Sequence, residues 1–340
     1  MAKAKPIVKP VNVDDIKKIL VIRFSTFGDV FISTSVCETL KKHFHQSTLH
    51  YLVATPFEEA IAGNPFIDNI ITFHYDNKIL NRMKLIKQIR DMKFDLVIDY
   101  QISMLAKQIS FFSGAKYTVG YTSRDYPYTK PFRVKRIPCR YSGIEKFDLL
   151  ELLGVEETPF KYHYNVKSES EKYIQNWLDE VGLNDKEFVL ISPGSPNPNK
   201  KWQTKNFAIL GDLIHNNLDL SVVIIGSKNE NEDKQFVYNS MANKPIIAPE
   251  MTIDQIFALL KRTKLLVCND GGLNHMSCAT ETMTLAIFGL TCPIRWSPAF
   301  VFSHHHHHLY KPNFPSHKDN TFGITPDEAI IKIKDILQIK

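Results

Sequence analysis

No run of about 18 consecutive apolar residues, the length that crosses a bilayer as a helix, occurs anywhere in the chain. The segment from Met1 to Lys18 is basic and polar, without the apolar core of a secretory signal peptide. We therefore expect a protein that neither spans a membrane nor is exported by that route, and that works in the cytoplasm.

Paired cysteines are missing too. The five cysteines are widely scattered and none has a C-x-x-C spacing, so we expect free thiols in a reducing compartment. The G-x-G-x-x-G turn of nicotinamide and flavin sites is also missing, which argues against a dehydrogenase. With 44% apolar and 23% charged residues over 340 positions, the composition indicates a globular chain of about two domains.

Acidic residues are rare in the segment Lys116–Arg140, although the whole chain carries a net charge of only +6. This segment creates a local positive potential that attracts an anionic partner, and the alternative interpretation is a solvated basic loop. A nucleic-acid-binding protein is a further alternative, because aromatic residues are interleaved with the basic ones. We expect no nucleic-acid partner, since the charge excess is small and no nucleic-acid motif occurs. The basic residues are Lys116, Arg124, Lys130, Arg133, Lys135, Arg136 and Arg140, against the acid Asp125.

Short β-branched runs alternate with segments of helical spacing, which predicts an α/β protein with parallel sheets. The alternation pauses over residues 117–140, where we expect a loop, and restarts in the second half. We predict two doubly wound domains, residues 1–165 and 166–340, with a final helix in 325–340 that can pack back on the first domain. The predicted strands are Ile19–Phe24, Leu49–Val53, Phe94–Asp99, Phe188–Ser192, Ser221–Ile225, Leu265–Cys268 and Thr284–Phe288. The predicted helices are Val30–Phe44, Leu80–Met92, Lys146–Leu153, Ser168–Val181, Lys205–Asn216, Ile253–Lys261, Leu273–Ala279 and Pro326–Ile339.

Ligands of open α/β sheets bind beyond the carboxyl ends of strands, so the residues after each strand are the candidate site residues. Gly28 and Asp29 follow the first strand, and Asp29 is either a helix cap or a carboxylate that accepts a proton. Ser195 and Lys200 follow the strand that ends at Ser192. Their hydroxyl and ammonium groups suit an anion such as phosphate, and the alternative is a plain surface loop.

Two further strand ends carry polar side chains. Glu230 follows Gly226 and is either an acceptor for ribose hydroxyls or an acid at a helix start. The turn from Asn269 to His275 is the strongest local signal, because a structural turn rarely combines Asp, Asn, His and two glycines. It predicts a ligand at that strand end.

Taken together, in this order and spacing, these segments resemble glycosyltransferase family 9, whose best-known members are ADP-heptose:lipopolysaccharide heptosyltransferases. The resemblance implies a GT-B fold, in which two Rossmann-like doubly wound parallel-sheet domains face each other across a cleft. The donor is then expected in the second domain and the acceptor mainly on the first. The resemblance covers most of the chain and is carried by Lys18–Arg23, Gly28–Val30, Leu40-Lys41, Tyr51–Val53, Phe94–Asp99, Val119–Tyr121, Leu149–Gly154, Pro193–Ser195, Lys200–Trp202, Gly226–Glu230, Asn269–His275 and Phe288–Pro293.

The resemblance also implies a reaction. It predicts an inverting transferase that moves a heptose or related sugar from an ADP-sugar to a lipopolysaccharide-core or similar lipid-anchored glycan, with contact to the inner face of the inner membrane. Asp29 is implied as the general base. The lysine and helix amides neutralise the leaving diphosphate, so no metal or other cofactor is expected.

Roles for the other residues follow from the same resemblance. Ser195 and Lys200 are implied to hold the diphosphate, Glu230 to contact the ribose, and Asp270, Gly271, Gly272 and His275 to lie against the donor phosphate and sugar. The anionic acceptor is expected to contact the basic segment through Arg124, Lys130 and Arg133.

Three departures from the family pattern bear on the donor sugar. Gly271 stands where the family usually has Thr, Gln203 where it usually has Pro, and Ser303 with the run His304–His308 replaces a loop that often carries cysteine pairs. We expect the histidine run to be a mobile loop without a catalytic role, and adventitious metal binding is the alternative. The alternative function for the whole chain is a nucleotide-sugar epimerase of similar architecture, which would need further acid–base residues.

Overall fold

The structure, a computed structural model, describes residues 11–76, 78–121, 140–312 and 320–339. The chain divides into two compact units, Met1–His163 and Tyr164–Lys340, close to the predicted boundary after residue 165. Arg124, Lys130 and Arg133 lie outside the described residues, so their assignment to the acceptor stays a prediction. Within the described ranges, no helix combines the length and the apolar composition that crossing a membrane requires.

The first unit is built around five parallel strands in the order β3-β2-β1-β4-β5. The order reverses between β1 and β4, and the carboxyl ends of these two strands form the switch point at which such sheets bind ligands. The strands are β1 (Lys18–Ile22), β2 (Thr48–Ala54), β3 (Asn69–Phe73), β4 (Leu96–Asp99) and β5 (Tyr117–Gly120). The helices are α1 (Phe27–Ile32), α2 (Cys37–His43), α3 (Ile79–Asp91), α4 (Met104–Phe112), α5 (Ser142–Glu145) and α6 (Phe147–Leu150).

One hydrophobic core of this unit lies beneath α3 and α4. Leu85 and Ile89 of α3 and Leu105 and Ile109 of α4 are buried in a single cluster with side chains of β1, β2 and β4. The two helices therefore cover the same face of the sheet. A short 3-10 turn after α6 ends at Gly154, whose φ of 83° is left-handed, a conformation that glycine adopts readily.

Two predictions for the first unit are wrong. The single helix expected over Val30–Phe44 is divided into α1, the 3-10 segment Ser33–Val36 and α2. Ser33 and Thr34 each donate a hydroxyl hydrogen bond to the carbonyl oxygen three residues back, at 2.7 and 2.8 Å, which favours the tighter turn. The loop expected from residue 117 begins with β5, a strand of four residues that is too short to show a clear pattern.

The second unit contains six parallel strands in the order β11-β10-β9-β6-β7-β8, which confirms the predicted doubly wound architecture. The strands are β6 (Phe188–Ser192), β7 (Ser221–Ile224), β8 (Ile246–Ile247), β9 (Leu265–Asn269), β10 (Thr284–Ile287) and β11 (His306–Leu309). The helices are α7 (Ser168–Glu180), α8 (Thr204–Leu218), α9 (Asn231–Ser240), α10 (Ile253–Arg262), α11 (Gly272–Met276), α12 (Pro293–Trp296) and α13 (Pro326–Leu337).

The final helix α13 begins with a capping box in which Thr325 and Glu328 satisfy each other's backbone N–H groups. Its buried side chains, among them Ala329 and Ile333, join the core of the second unit together with Trp202. The helix thus packs inside the second unit, on α8.

The histidine run is not a mobile loop, so that prediction is wrong. His306–Leu309 pairs in parallel with Thr284–Ile287 as the edge strand β11. Nε2 of His306 lies 2.9 Å from Ser277 Oγ, and burial lowers the pKa of His306 well below its usual value. A neutral imidazole packs in a buried strand far more easily than a charged one. The sequence of the run looks polar and therefore does not reveal that it can form a strand. In the described part of the chain, no cluster of three or more His, Cys, Asp or Glu side chains is arranged to hold a metal ion.

Candidate active site

Asp29 lies in the first turn of α1, at the carboxyl edge of the first sheet. It is not the cap of that helix, since Thr26 occupies the cap position. Its Oδ2 atom accepts hydrogen bonds from Thr26 Oγ1 at 3.1 Å and from Arg23 Nη2 at 2.9 Å. Its other oxygen, Oδ1, has no hydrogen-bond partner within the described ranges, and the side chain is about a quarter exposed (24%). One oxygen is held in place and the other is available to accept a proton.

Arg23 orients Asp29, and sequence reasoning did not single it out. It follows β1 directly, and its Nη1 donates to the carbonyl oxygen of Tyr100, just after β4, at 2.8 Å. Beside it, the side-chain oxygen of Gln101 accepts from the backbone N–H of Phe24 at 2.8 Å. These bonds tie together the ends of β1 and β4 at the switch point. The sequence feature that indicates Arg23 is its position: it is a basic residue immediately after a buried strand, and the acid Asp29 follows in the next turn of chain.

Lys200 and Asp270 form an ion pair at the carboxyl edge of the second sheet. Lys200 Nζ lies 2.8 Å from Asp270 Oδ2, which also accepts from Thr291 Oγ1 at 2.7 Å. The Asp270 side chain is 1% exposed, whereas that of Lys200 is 27% exposed. Lys200 Nζ also lies 5.7 Å from the centre of the Trp296 ring, within cation–π range. A buried carboxylate therefore holds a cation that solvent can reach, which suits binding of an anion.

Asn269 joins three segments of this edge, a role that its place in the polar turn did not reveal. Its Oδ1 accepts from the backbone N–H of Trp202 at 2.9 Å. Its Nδ2 donates to the carbonyl oxygens of Pro193 and Gly194, each at 3.0 Å. Because the Asn269 side chain is buried, these three bonds hold the loop after β6 and the segment after Lys200 against the end of β9.

Glu230 packs directly on the backbone of Gly194. A Cβ atom added to Gly194 would stand 2.5 Å from Glu230 Cδ, so only glycine fits without moving the glutamate. Glu230 Oε2 accepts from the backbone N–H and the hydroxyl of Ser227 at 2.7 and 2.8 Å, in a capping box. Glu230 is thus an acid at a helix start that also lies against the loop after β6, and its ribose contact stays a prediction.

The remaining predicted donor residues lie at the same edge. Ser195 is on the loop of Gly194, and its Oγ accepts from the backbone N–H two residues further on at 3.3 Å. A Cβ at Gly271 would have no neighbour nearer than 3.9 Å, and the φ of −165° is extended, so the backbone does not require glycine there. Gly272 begins α11, and the buried His275 lies in the same short helix. The structure thus brings the predicted donor set together around the ends of β6, β7 and β9.

The buried cysteines near this edge are not nucleophiles. Burial raises the pKa of the Cys268 and Cys278 thiols well above the usual range, so neither supplies a thiolate. The chemistry of the edge therefore comes from a lysine, carboxylates and backbone amides. Groups of this kind are suited to binding an anion.

The chain is similar in sequence to proteins of a known family. The sequence pattern described as glycosyltransferase family 9 (heptosyltransferase) matches residues 82–318, more than half of the chain. Lipopolysaccharide heptosyltransferase 1 of Campylobacter coli is 25% identical over 291 residues, which cover 81% of this chain and 84% of that protein.

Two solved structures are similar in fold. The glycosyl transferase family 9 protein of Veillonella parvula has a TM-score of 0.83 at 23% identity, over 95% of this chain and 98% of the other. ADP-heptose LPS heptosyltransferase II of Escherichia coli has a TM-score of 0.79 at 20% identity, over 94% and 98%. The predicted GT-B fold class is confirmed. The chain belongs to glycosyltransferase family 9 (heptosyltransferase) and is a glycosyltransferase.

Proposed function

We propose that this enzyme is an inverting transferase that moves a heptose, or a related sugar, from an ADP-sugar to a lipopolysaccharide-core or similar lipid-anchored glycan. The observation that carries the proposal is the accessible Lys200 ammonium held by the buried Asp270 carboxylate at the carboxyl edge of the second sheet. The names of two similar proteins support it, because both are lipopolysaccharide heptosyltransferases and the Escherichia coli protein is named for ADP-heptose. With a lipid-anchored acceptor the reaction takes place at a membrane surface, which we take to be the inner face of the inner membrane.

On the donor side, Lys200 and Ser195 receive the diphosphate, and Glu230 accepts hydrogen bonds from the ribose. Asp270 with the Gly271–His275 segment lies against the phosphate and the sugar. The open space beside Gly271 leaves room for a sugar substituent where a threonine side chain would otherwise stand. Specificity for the sugar is therefore expected to depend on this position.

On the acceptor side, Asp29 acts as the general base. Its Oδ1 takes the proton of the acceptor hydroxyl, whose oxygen forms the new bond to the anomeric carbon of the donor. The bond from that carbon to the diphosphate oxygen breaks, and ADP leaves with the electron pair. Attack from the side opposite the leaving group inverts the configuration. A base of this kind contributes typically about 10²–10⁴-fold to the rate.

No metal is needed in this proposal, because Lys200 and backbone N–H groups neutralise the charge that develops on the diphosphate. The pairing with Asp270 keeps the ammonium in position before the donor binds, so little reorganisation accompanies the reaction. Transfer is expected to persist in excess EDTA, and inhibition by EDTA that is reversed by a divalent ion would contradict this part of the proposal.

The test is transfer by the purified full chain from ADP-heptose to a heptose-deficient lipopolysaccharide core. ADP release and product mass report turnover, and nuclear magnetic resonance reports the anomeric configuration of the product. Asp29→Asn is expected to lower kcat by at least about 100-fold while ADP binding is unchanged. Asp15→Asn is the matched control, because Asp15 is another ion-paired aspartate of the same unit, 2.6 Å from Lys116 Nζ.

Three outcomes would contradict the proposal. Unchanged turnover in Asp29→Asn removes the assignment of the base. Retention of configuration removes the inverting mechanism. Conversion of the ADP-sugar to another nucleotide sugar without any acceptor supports the epimerase alternative instead.

A further inference from the structure

The outer surface of α3 and α4 is unusually apolar for solvent-facing helices. Leu80 and Ile79 are 72% and 71% exposed, and more than half of the large apolar side chains that are exposed in the described residues lie between Tyr75 and Phe112. A helix that buries one stripe in a core normally turns polar residues to the other side. We name the outward apolar side chains of these helices the α3–α4 face: Ile79, Leu80, Met83, Met104, Phe111 and Phe112.

The α3–α4 face is not a surface left open by poor packing beneath it. Leu85 and Ile89, on the opposite side of α3, and Leu105 and Ile109, on the opposite side of α4, are 6% exposed or less. Both helices therefore already bury a complete inner stripe in the core of the unit. The outer apolar residues are additional, and a concentration of exposed apolar side chains on neighbouring helices is typical of an interaction site.

Basic residues are interleaved with the apolar ones. Lys84, Lys87 and Arg90 are exposed on α3, and α4 carries Lys107. Asp91 is the sole acid within the two helices, and Lys87 Nζ pairs with it at 2.6 Å. Apolar side chains mixed with cations fit the interface of an anionic bilayer, where the apolar groups enter the headgroup region and the cations meet lipid phosphates.

The α3–α4 face adjoins the edge of the sheet that carries Asp29. Both helices follow parallel strands, so Ile79, Leu80 and Met104 at their first turns lie at the carboxyl edge, as Asp29 does. The Tyr75 ring, just before α3, lies 6.1 Å from the ring of Phe24, which follows β1. A partner that binds to these residues would therefore lie close to the sheet edge that carries Asp29.

We propose that the α3–α4 face docks the enzyme on an anionic lipid bilayer. A second copy of the chain is the less suitable occupant, because two like-charged basic faces would meet and repel each other. The docking itself does not depend on the transfer reaction. Its benefit, the delivery of a lipid-anchored acceptor to Asp29, rests on the proposed function.

The test is co-sedimentation of the full chain with vesicles of phosphatidylethanolamine and phosphatidylglycerol, compared with vesicles of phosphatidylcholine. We expect binding to the anionic vesicles that weakens as salt is raised. Ile79→Ser/Leu80→Ser/Met83→Ser is expected to lower the partition coefficient at least tenfold. Lys84→Gln/Lys87→Gln/Arg90→Gln is expected to lower it roughly 100-fold at low salt, at about fivefold for each cation.

The matched control is Ile209→Ser/Phe236→Ser/Ile331→Ser, three exposed apolar residues of the second unit, which is expected to bind vesicles as the unaltered chain does. The far-ultraviolet circular dichroism spectrum and the melting temperature are measured for every variant, so that unfolding is not mistaken for lost docking. Equal binding by the apolar triple variant and the unaltered chain, or no binding to anionic vesicles at all, would overturn the proposal. Self-association in light scattering that the same variant abolishes would assign the face to a second copy instead. Failure of the proposed function is seen separately, as lack of transfer to a detergent-dispersed acceptor.

Discussion

Two adjacent lysines provide a matched test of the donor site. Lys200 and Lys201 have side chains that are 27% and 30% exposed, and each is ion-paired. Lys200 Nζ pairs with Asp270 after β9, whereas Lys201 Nζ pairs with Asp233 of α9 at 3.1 Å. The substitutions Lys200→Ala and Lys201→Ala therefore remove the same charge from neighbouring positions, but only the first removes it from the proposed diphosphate site.

The expected magnitudes follow from the contacts. Lys200→Ala removes one charge-assisted hydrogen bond to the diphosphate, which contributes about 1.5–3 kcal/mol to binding. Its loss raises the Kd for ADP by roughly 10–150-fold. It also leaves the buried Asp270 carboxylate with Thr291 as its remaining side-chain partner in the described structure, so the free energy of unfolding should fall by about 1–3 kcal/mol. Lys201→Ala should change the Kd for ADP little.

Isothermal titration calorimetry with ADP at fixed salt measures the first effect, and urea unfolding without ligand measures the second. The double variant Lys200→Met/Asp270→Asn separates them, because it removes the unpaired buried charge and should regain stability without regaining ADP affinity. Lys200 does not hold the diphosphate if Lys200→Ala binds ADP as the unaltered chain does, or if Lys201→Ala loses as much affinity.

Three more outcomes are expected. Arg23→Gln should lower kcat by up to about 100-fold, with the Kd for ADP unchanged, because Asp29 loses the partner that orients it. Arg23→Lys should restore part of the rate. An unaltered kcat in Arg23→Gln would show that the ion pair does not position the base. Gly194→Ala should weaken ADP binding in calorimetry because its Cβ displaces Glu230. Gly271→Ala, whose Cβ meets no atom within 3.4 Å, should leave ADP binding unchanged, and equal losses of ADP affinity in the two variants would contradict the role of packing on Glu230. Since burial lowers the pKa of His306, the unfolded chain binds the additional proton, so stability is complete above about pH 6.5 and falls as the pH decreases below it. His306→Gln should reduce the drop in melting temperature between pH 7.5 and 5.5, and an unchanged drop would assign that pH dependence to other groups.

Seven of the described strands, the start of the last helix and the positions of the candidate residues were predictable from the chain because they depend on neighbours in sequence. Phe188–Ser192 is a strand as predicted, and Thr325 with Glu328 caps the last helix through bonds that span three residues. Asp29, Lys200 and Asp270 are candidates because parallel strands end at one edge, so any polar residue just after a strand can face a ligand there.

Contacts between distant segments could not be derived in this way. Asn269 meets Trp202 and Pro193 from 67 and 76 positions away, and Arg23 meets Tyr100 from 77 positions away. Hydrophobic periodicity carries no information on which polar groups meet across such distances, because that depends on strand order and on the packing of each loop. The run of histidines is a second case in which local sequence does not determine the structure. Its residues look like a solvated loop, and only the partner strand β10 and the buried pocket around His306 make them the edge of a sheet.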